Sequence, residues 1–290
     1  MAELTPPTTP STTPLLEVDR VTLTFGGVRA LDDVSFRVEP GELFAVIGPN
    51  GAGKTSIFNC LNRVYHPQAG DIRWKGQSIM GLRPDEVAKL GIARTFQNIA
   101  LYPHMTVLDN LLTGRHVRMR RSWLAGMVWL GPARREELEH REHIEDIIDF
   151  LEIERWRKHP VALVPYGIQK RVELGRALAM APELLLLDEP VAGMNLEETE
   201  DMARFILDVR EELGIAMILV EHDMGLVMDI SDRVVVLDFG QTIAAGVPSD
   251  VQRDPRVVAA YLGEPAATTS SRSRSTGSRR SRGPSRRPRA

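Results

Sequence analysis

The sequence predicts an α/β protein in which helices connect the strands of a parallel sheet. Three observations indicate this class. An apolar strand at residues 42–47 runs into a glycine-rich loop and then into a helix beginning near Thr55. Two further apolar strands, at residues 183–187 and 215–220, flank an amphipathic helix, which is the pattern of a parallel βαβ unit. With 290 residues, 43% of them hydrophobic, the chain is long enough to bury a substantial core.

The first part of the chain is predicted to form a smaller antiparallel sheet. Between Leu15 and Val38, β-favouring segments alternate and are interrupted by Gly26-Gly27, as in a hairpin. Residues 70–76 are predicted to form an edge strand and residues 84–90 a short helix. Residues 1–14 are mostly Thr and Pro, and we expect disorder there because they bury too little apolar surface to offset the entropy of ordering.

A helical region is predicted between this part and the βαβ unit. Its clearest helix places apolar residues at positions i, i+3, i+4 and i+7, which share one face. These residues are Ile144, Ile147, Ile148 and Leu151. We therefore expect an all-helical insert from about Thr106 to His159.

The helix of the βαβ unit and the end of the chain carry their own signals. Asn195 and Glu198 have the spacing of an N-cap pair. A strand pair and a helix over residues 233–262 are expected to close the folded domain at about Glu264. The Arg- and Ser-rich tail, residues 265–290, is predicted to be disordered. The buried stripe of the βαβ helix is predicted to consist of Met202, Phe205, Ile206, Val209 and Leu213.

The glycine-rich loop predicts nucleotide binding. Residues 48–55 fit the pattern G-x-x-x-x-G-K-[ST] at every fixed position. Glycines let the backbone fold around phosphates, so that N–H groups and the positive end of the next helix point at the anion. Lys54 is expected to reach the β- and γ-phosphates of ATP, and the Thr55 hydroxyl to ligate Mg²⁺. The predicted nucleotide-binding residues of the loop are Gly48, Pro49, Asn50, Gly51, Ala52, Gly53, Lys54, Thr55 and Ser56.

Two carboxylates and a histidine are predicted to lie at one edge of the parallel sheet. Asp188 and Glu189 follow the strand at residues 183–187, and His222 follows the strand at residues 215–220. Ligands bind at such strand ends in parallel α/β sheets. We expect Asp188 to hold Mg²⁺, Glu189 to orient or deprotonate the attacking water, and His222 to contact the γ-phosphate region. Without the phosphate loop, the Asp-Glu pair would be interpreted as a solvated strand end and the histidine as structural.

These motifs occur in an order that resembles the ATP-binding subunits of ABC transporters, over residues 15–264. The resemblance implies a P-loop ABC ATPase domain with a RecA-like core, an antiparallel β-subdomain and an α-helical subdomain over about residues 98–180. The motifs that carry it are the phosphate loop, Gln97 in the Q-loop, the signature segment Val164–Gln169, the Asp188-Glu189 pair, the D-loop Ala192–Asn195 and the switch residue His222.

The resemblance also assigns roles to single residues. It implies that Gln97 is a third catalytic residue, completes the Mg²⁺ site and passes the nucleotide state to a membrane partner. Phe25 is expected to stack on adenine, with ordinary core packing as the open alternative. Two subunits of the family pair head to tail, so Gly167 and Gln169 of the signature segment are expected to contact the ATP that the other subunit holds.

The signature segment departs from the usual Leu-Ser-Gly-Gly-Gln. Pro165 stands at the serine position and Ile168 at the glutamine position. Pro165 donates neither a hydroxyl nor a backbone N–H, but it suits the first turn of a helix. The positive end of that helix and the amide of Gly167 could still face the anion, so we expect hydrolysis to persist.

Within the superfamily, the chain resembles the ATPase subunits of branched-chain amino acid importers. The segments that carry this finer resemblance are Arg94–Gln97, Ala192–Asn195, Glu221–Met224 and Ala260–Glu264. It implies an ATPase coupled to solute transport, peripheral at the cytoplasmic face of the cell membrane. The implied partners are integral-membrane permease subunits, a second ABC ATPase subunit of the same or a related chain and, indirectly, an extracytoplasmic solute-binding protein.

Several interpretations remain open at this stage. Importers of urea and short amides share much of this pattern, a soluble ABC ATPase could act on ribosomes or DNA, and a nucleotide sensor would bind ATP without turnover. Residues 101–103 are expected to line a groove for a permease helix or, alternatively, to cap the helical subdomain. The apolar run at residues 122–131 is expected to pack within that subdomain, with contact to permease or lipid as the alternative.

The amino-acid composition argues against two further classes, disulfide-rich and membrane-spanning proteins. Cys60 is the single cysteine, so a disulfide framework is excluded and a reducing compartment is expected. No apolar run approaches the roughly 18 residues of a membrane span, so we expect membrane association through a partner or through charge. The tail holds eight arginines and no acidic residue, which could attract anionic lipid, although a solvated extension is the alternative. Nucleic acid is not an expected partner.

Overall fold

The computed structural model describes residues 13–97, 99–116 and 132–262. Nearly all of the two predicted disordered segments, and the whole apolar run at residues 122–131, lie outside these ranges. Within the ranges, no helix combines the length and the apolar character required to cross a bilayer.

Ten strands occur in the described part of the chain and form two sheets. They are β1 (Leu16–Phe25), β2 (Val28–Val38), β3 (Leu43–Ile47), β4 (Ala69–Trp74), β5 (Gln77–Ser78), β6 (Ile92–Arg94), β7 (Leu184–Asp188), β8 (Ala216–Val220), β9 (Arg233–Asp238) and β10 (Gln241–Gly246). The larger sheet has the order β10-β9-β3-β8-β7-β6, and the smaller has the order β2-β1-β4-β5.

Nine α-helices are described between and around these strands. They are α1 (Lys54–Leu61), α2 (Pro84–Lys89), α3 (Val107–Arg115), α4 (Pro132–Phe150), α5 (Tyr166–Leu178), α6 (Leu196–Leu213), α7 (Met224–Ile230), α8 (Pro248–Val251) and α9 (Pro255–Leu262). Short 3₁₀ turns cover Glu154–Trp156 and Val161–Leu163.

The larger sheet brings the ends of its central strands together. β3 pairs in parallel with β8 and β9, and β7 pairs in parallel with β6 and β8, so the predicted βαβ unit is confirmed. Every residue of β3, β7 and β8 is buried, as expected for strands covered on both faces. Their carboxyl ends therefore deliver the phosphate loop, Asp188 and His222 to one edge.

The smaller sheet is antiparallel, as predicted, but one strand position was wrong. The strand predicted over residues 70–76 is not at an edge: β4 lies between β1 and β5. The two-residue strand β5 folds back onto β4 after Lys75-Gly76, both of which have positive φ. A strand this short carries no period-2 signal, so the sequence could not show that β4 has a second neighbour.

The helical predictions hold with one exception. The four residues of the predicted α4 face, Ile144, Ile147, Ile148 and Leu151, are all buried. Asn195 and Glu198 cap α6 reciprocally, each side chain accepting from the other's backbone N–H. The α6 stripe is buried except for Leu213, which is 49% exposed. Leu213 lies in the last turn, directly before the left-handed Gly214, where the helix ends.

Candidate active site

The phosphate loop connects β3 to α1 through glycines in left-handed conformations. Gly48 and Gly53 have φ of 150° and 105°. A Cβ on Gly48 would lie 2.1 Å from the carbonyl oxygen of Leu237, and one on Gly53 would lie 2.6 Å from that of Ala30. The loop therefore follows a path between β9 and β2 that only glycine permits at these two positions.

Lys54 places a cation inside this loop. Its side chain is buried, and Nζ donates to the carbonyl oxygens of Gly48 at 2.6 Å and Pro49 at 3.1 Å. Burial lowers the pKa of Lys54, while the negative charges of Glu189 and Asp188 oppose that shift. An anion entering the loop thus meets an ammonium group that the backbone already holds in place.

A cavity of about 310 Å³ opens above the loop, which is the size range of small-ligand pockets. Besides residues 50–56, its walls are Ala30, Gln97, Glu189 and His222. The structure thus brings most of the predicted loop residues and all three predicted catalytic residues to one cavity.

Glu189 is held from two sides. Its Oε2 accepts from Nε2 of Gln97 at 2.8 Å, and its Oε1 lies 2.6 Å from Nε2 of His222. The backbone of Glu189 has a φ of 50°, an unfavourable conformation for a side chain of this size that is typical of functional sites. Its side chain is 13% exposed, which rules out the alternative of a solvated strand end.

Asp188 is buried against an arginine that sequence analysis did not assign to the site. Its Oδ2 lies 2.5 Å from the guanidinium of Arg94, at the end of the neighbouring strand β6. Arg94 also donates to Oδ1 of Asn59 at 2.7 Å, and its guanidinium lies 5.5 and 5.4 Å from the ring centroids of Phe58 and Phe96. In the sequence, Arg94 belongs only to the Arg94–Gln97 pattern of the branched-chain subgroup. The available signal for its place in the site is a basic residue at the end of a short buried strand.

The side chains that would hold Mg²⁺ offer the donors that this ion prefers. Thr55 has a hydroxyl, Asp188 a carboxylate and Gln97 an amide oxygen, and Mg²⁺ is usually bound by one or two carboxylates together with substrate phosphates. Among the residues described, no group of three or more His, Cys, Asp or Glu forms a separate metal cluster. The donor set therefore fits a magnesium ion that is bound jointly with a nucleotide.

Glu221 is a second site residue that the sequence did not reveal. Its buried carboxylate accepts from the backbone N–H of Val191 and that of His222, both at 3.0 Å. Burial raises the pKa of Glu221, and these two hydrogen bonds oppose the shift. The side chain thereby connects the segment after Glu189 to the backbone of His222.

Two predicted contacts lie outside the cavity. Phe25 is 45% exposed and contacts Tyr65 edge-on, with 5.0 Å between ring centroids, so the core-packing alternative is wrong. Gly167 and Gln169 do not line the cavity, and Nε2 of Gln169 donates to the carbonyl oxygen of Val164 at 2.8 Å. Adenine stacking and contact with a second subunit's ATP stay predictions for these residues.

Pro165 lies one position earlier than expected. It is the N-cap of α5, with φ −52° and ψ 150°, and Tyr166 is the first helical residue. A proline disfavours helical backbone angles at the preceding residue but not at the following one, so the helix can begin at Tyr166.

The chain matches known families and proteins along most of its length. Residues 31–192 match the ABC transporter family, and residues 241–267 match the branched-chain amino acid ATP-binding cassette transporter family. The high-affinity branched-chain amino acid transport ATP-binding protein BraF of Pseudomonas aeruginosa is 40% identical over 251 residues, which are 87% of this chain and 98% of that protein. LivG of Escherichia coli K12, which carries the same description, is 37% identical over the same shares of both chains.

Solved structures give the same result. A nucleotide-free ATP-binding cassette from an ABC transporter has a TM-score of 0.75 and 32% identity, covering 87% of this chain and 100% of that one. An ATP-binding cassette of an ABC transporter in its ADP conformation has a TM-score of 0.76 at the same identity and coverage. These matches confirm the predicted fold and the predicted ATPase activity coupled to transport. The chain belongs to the ABC transporter family and carries its ATP-binding domain.

Proposed function

We propose that this chain is the ATPase subunit that powers an importer of branched-chain amino acids. The names of BraF and LivG support this solute, because both relatives match almost end to end. The match over residues 241–267 to a family named for the same transporters supports it from a different part of the chain. Neither the urea and amide importers nor the soluble ABC ATPases are favoured by these relatives.

The observation that carries the hydrolytic part of the proposal is the position of Glu189. Its carboxylate faces the cavity above the phosphate loop and is fixed between Gln97 and His222. A carboxylate in this position can accept a proton from a water that attacks the terminal phosphate, while Lys54 and the loop amides stabilise the phosphate charge. The nucleotide-sensor alternative lacks support, since no member of this set is missing.

Magnesium would be held by Thr55, Asp188 and Gln97 together with the nucleotide. When bound, the ion supplies positive charge that offsets the charge on the phosphates. Asp188 is the last residue of β7, and its ion pair with Arg94 holds the carboxylate at this end of the strand.

A second ATPase subunit would complete the site. Exposed apolar side chains lie in and next to the signature segment: Tyr166 is 42% exposed, and Leu163, directly before the segment, is 72% exposed. Leu196, at the start of α6, is 76% exposed. These side chains favour a head-to-tail pair in which Gly167 and Gln169 of one subunit reach the nucleotide of the other.

The permease would contact the region after Gln97. Tyr102 and Met105 are 55% and 37% exposed there, and Phe96, just before Gln97, is 45% exposed. Apolar exposure supports permease contact over the alternative that residues 101–103 only cap the helices. In this arrangement the chain is a peripheral subunit at the cytoplasmic face, and the solute-binding protein acts on it only through the permease.

The test is uptake by cells in which this chain is the only copy of its subunit. Labelled leucine and labelled urea are supplied to cells expressing the wild type, Glu189→Gln or the matched surface control Glu212→Gln. We expect leucine uptake with the wild type and with Glu212→Gln, and its loss with Glu189→Gln. Uptake of urea instead of leucine would transfer the chain to the amide importers. Uptake that is insensitive to Glu189→Gln would contradict the ATPase role.

A further inference from the structure

Three side chains of α5 hold the backbone that carries Gln97. Lys170, Glu173 and Arg176 are spaced i, i+3 and i+6, so they share one face of the helix. That face meets residues 96–100, called here the Gln97 segment, in which Asn98 is outside the described residues.

Each contact is made to a backbone group. Lys170 Nζ donates to the carbonyl oxygen of Gln97 at 3.1 Å. Oε1 of Glu173 lies 3.3 Å from the N–H of Phe96 and 3.5 Å from that of Ala100, and both groups donate to it. Arg176 donates to the carbonyl oxygen of Ala100 at 2.5 Å. The helix therefore holds the segment before, at and after Gln97.

These contacts lie in the protein interior. Lys170 and Glu173 are 3% and 2% exposed. Burial raises the pKa of Glu173, and the charge of Lys170 opposes that shift most strongly. Buried charged groups are costly to leave without hydrogen bonds, so both side chains are constrained to these backbone partners. The Gln97 segment is thus attached to α5 through groups that have few other ways to be satisfied.

The attachment bears on catalysis through the side chain of Gln97. Gln97 donates to Glu189 at 2.8 Å, while its own carbonyl group is held by Lys170. At its other end α5 begins at the signature segment, where Tyr166 donates to the carbonyl oxygen of Ala192 at 2.9 Å. The helix α5 therefore contacts the Gln97 segment, which carries the hydrogen-bonding partner of Glu189. It also contacts the segment that follows Glu189 in the chain.

We propose that Lys170 and Glu173 are positioning residues for hydrolysis: they fix the backbone of the Gln97 segment so that the Gln97 amide reaches Glu189. This inference rests on the proposed ATPase function and adds a physical link from the signature helix to the catalytic carboxylate. Neither side chain lines the nucleotide cavity, so both act on the reaction only through Gln97.

A double-mutant cycle on the full-length chain tests this link. ATP hydrolysis is measured for the wild type, Glu173→Ala, Gln97→Ala and the double variant. We expect Glu173→Ala to lower kcat about 10- to 100-fold, the range for a misplaced catalytic group, with little change in KM for ATP. In the Gln97→Ala background the same change should have almost no further effect on kcat, because its target is gone.

Two further variants separate positioning from folding. Glu173→Gln keeps a carbonyl oxygen that can accept from both backbone N–H groups, so we expect it to recover most of the activity. Val172→Ala removes a fully buried side chain on α5 that belongs to the hydrophobic core. It should lower Tm without lowering kcat selectively, and its effect should be the same with and without Gln97.

Hydrogen exchange provides a readout that does not depend on activity. Peptides covering Phe96 and Ala100 should exchange faster in Glu173→Ala than in Val172→Ala at equal distance below Tm. An equal loss of kcat from Glu173→Ala in both Gln97 backgrounds, or unchanged exchange, would overturn the inference. A wild-type chain that hydrolyses no ATP, alone or with its permease, would instead contradict the proposed function, and exchange would still decide the attachment.

Discussion

The phosphate loop and the signature segment are both predicted to bind anions at helix N-termini, and they are built in opposite ways. The loop is enclosed: Gly48 and Gly53 press against neighbouring strands, and Lys54 is 6% exposed inside it. The signature segment is open: Pro165 is the N-cap of α5 and its side chain accepts no capping hydrogen bond, and Tyr166 is 42% exposed. The loop and Lys54 lie together within one chain, whereas we expect the signature segment to contribute to a nucleotide site only when a second subunit is present.

The two regions should therefore respond differently to substitution. Changes near the loop should alter the isolated chain, and changes in the signature segment should matter only when two subunits meet. The predictions below test this difference, beginning with the largest expected effect.

The largest effect is expected for the catalytic carboxylate, Glu189, which lies above the enclosed phosphate loop. Glu189→Gln keeps the shape and the hydrogen-bonding capacity of the side chain but removes its ability to accept a proton. We expect kcat for ATP hydrolysis to fall about 10²- to 10⁴-fold, the usual contribution of a general base, with ATP binding retained. Phosphate release under saturating ATP measures it. Basal hydrolysis in the wild type no higher than in Glu189→Gln would contradict the expectation that hydrolysis persists with Pro165 in the signature segment.

A smaller effect is expected from the walls of the loop. Gly48→Ala places a Cβ against a backbone oxygen at a left-handed φ, which should lower the free energy of unfolding by about 1–3 kcal/mol. Gly51→Ala is the matched control, because its φ is also positive but no atom lies within 4 Å of the added Cβ. Denaturant titration of both variants measures the difference. Equal losses would mean that the loop is not confined by its neighbours.

In the signature segment we expect almost no effect on the isolated chain. A Cβ on Gly167 would meet the carboxylate of Glu198 at 2.6 Å, and this side chain can move away at the loss of its hydrogen bond from the backbone N–H of Asn195. The free energy of unfolding of Gly167→Ala should therefore stay within about 1 kcal/mol of the wild type, with ATP binding unchanged. ATP-dependent pairing in a Glu189→Gln background should weaken, as light scattering with size-exclusion chromatography would show.

The control for this variant is Gly81→Ala, an exposed position where an added Cβ has open space. It should change neither stability nor pairing. Loss of ATP binding in monomeric Gly167→Ala, or undiminished pairing, would remove the distinction between the two regions.

The smallest effect concerns pH. Burial raises the pKa of Glu221, so the folded chain holds this proton more tightly than the unfolded chain does. Glu221 therefore contributes to the free energy of unfolding below the pKa that it has in the unfolded chain. This contribution is lost as pH rises through the pKa that it has in the folded chain, by at most about 1.4 kcal/mol per pH unit. Unfolding free energies at pH 5 and pH 8 should therefore differ less in Glu221→Gln than in the wild type. A steeper dependence in the variant would show that this carboxylate is not destabilised by burial.

Local patterns were sufficient for the enclosed region. The phosphate loop depends on glycines, Lys54 and Thr55 within eight consecutive positions, so residues that are neighbours in the sequence determine its geometry. Glu189 and His222 were found because each directly follows an apolar strand, and strand ends of a parallel sheet share an edge. The faces of α4 and α6 followed from periodicity alone, apart from Leu213 at a helix end.

Other features depended on partners that are distant in sequence. Arg94 and Asp188 are 94 positions apart, and their ion pair exists because β6 and β7 are neighbours in the sheet. Glu173 meets Phe96 across 77 positions, and β4 gained a second neighbour from a strand of two residues. Periodicity predicts which face of a helix or strand is buried, but it does not predict which polar group of a distant element contacts that face. The sequence by itself therefore determined the family, the fold class and the phosphate loop, while the tertiary structure decided which charged side chains hold the catalytic groups in place, because those contacts form only when distant elements pack together.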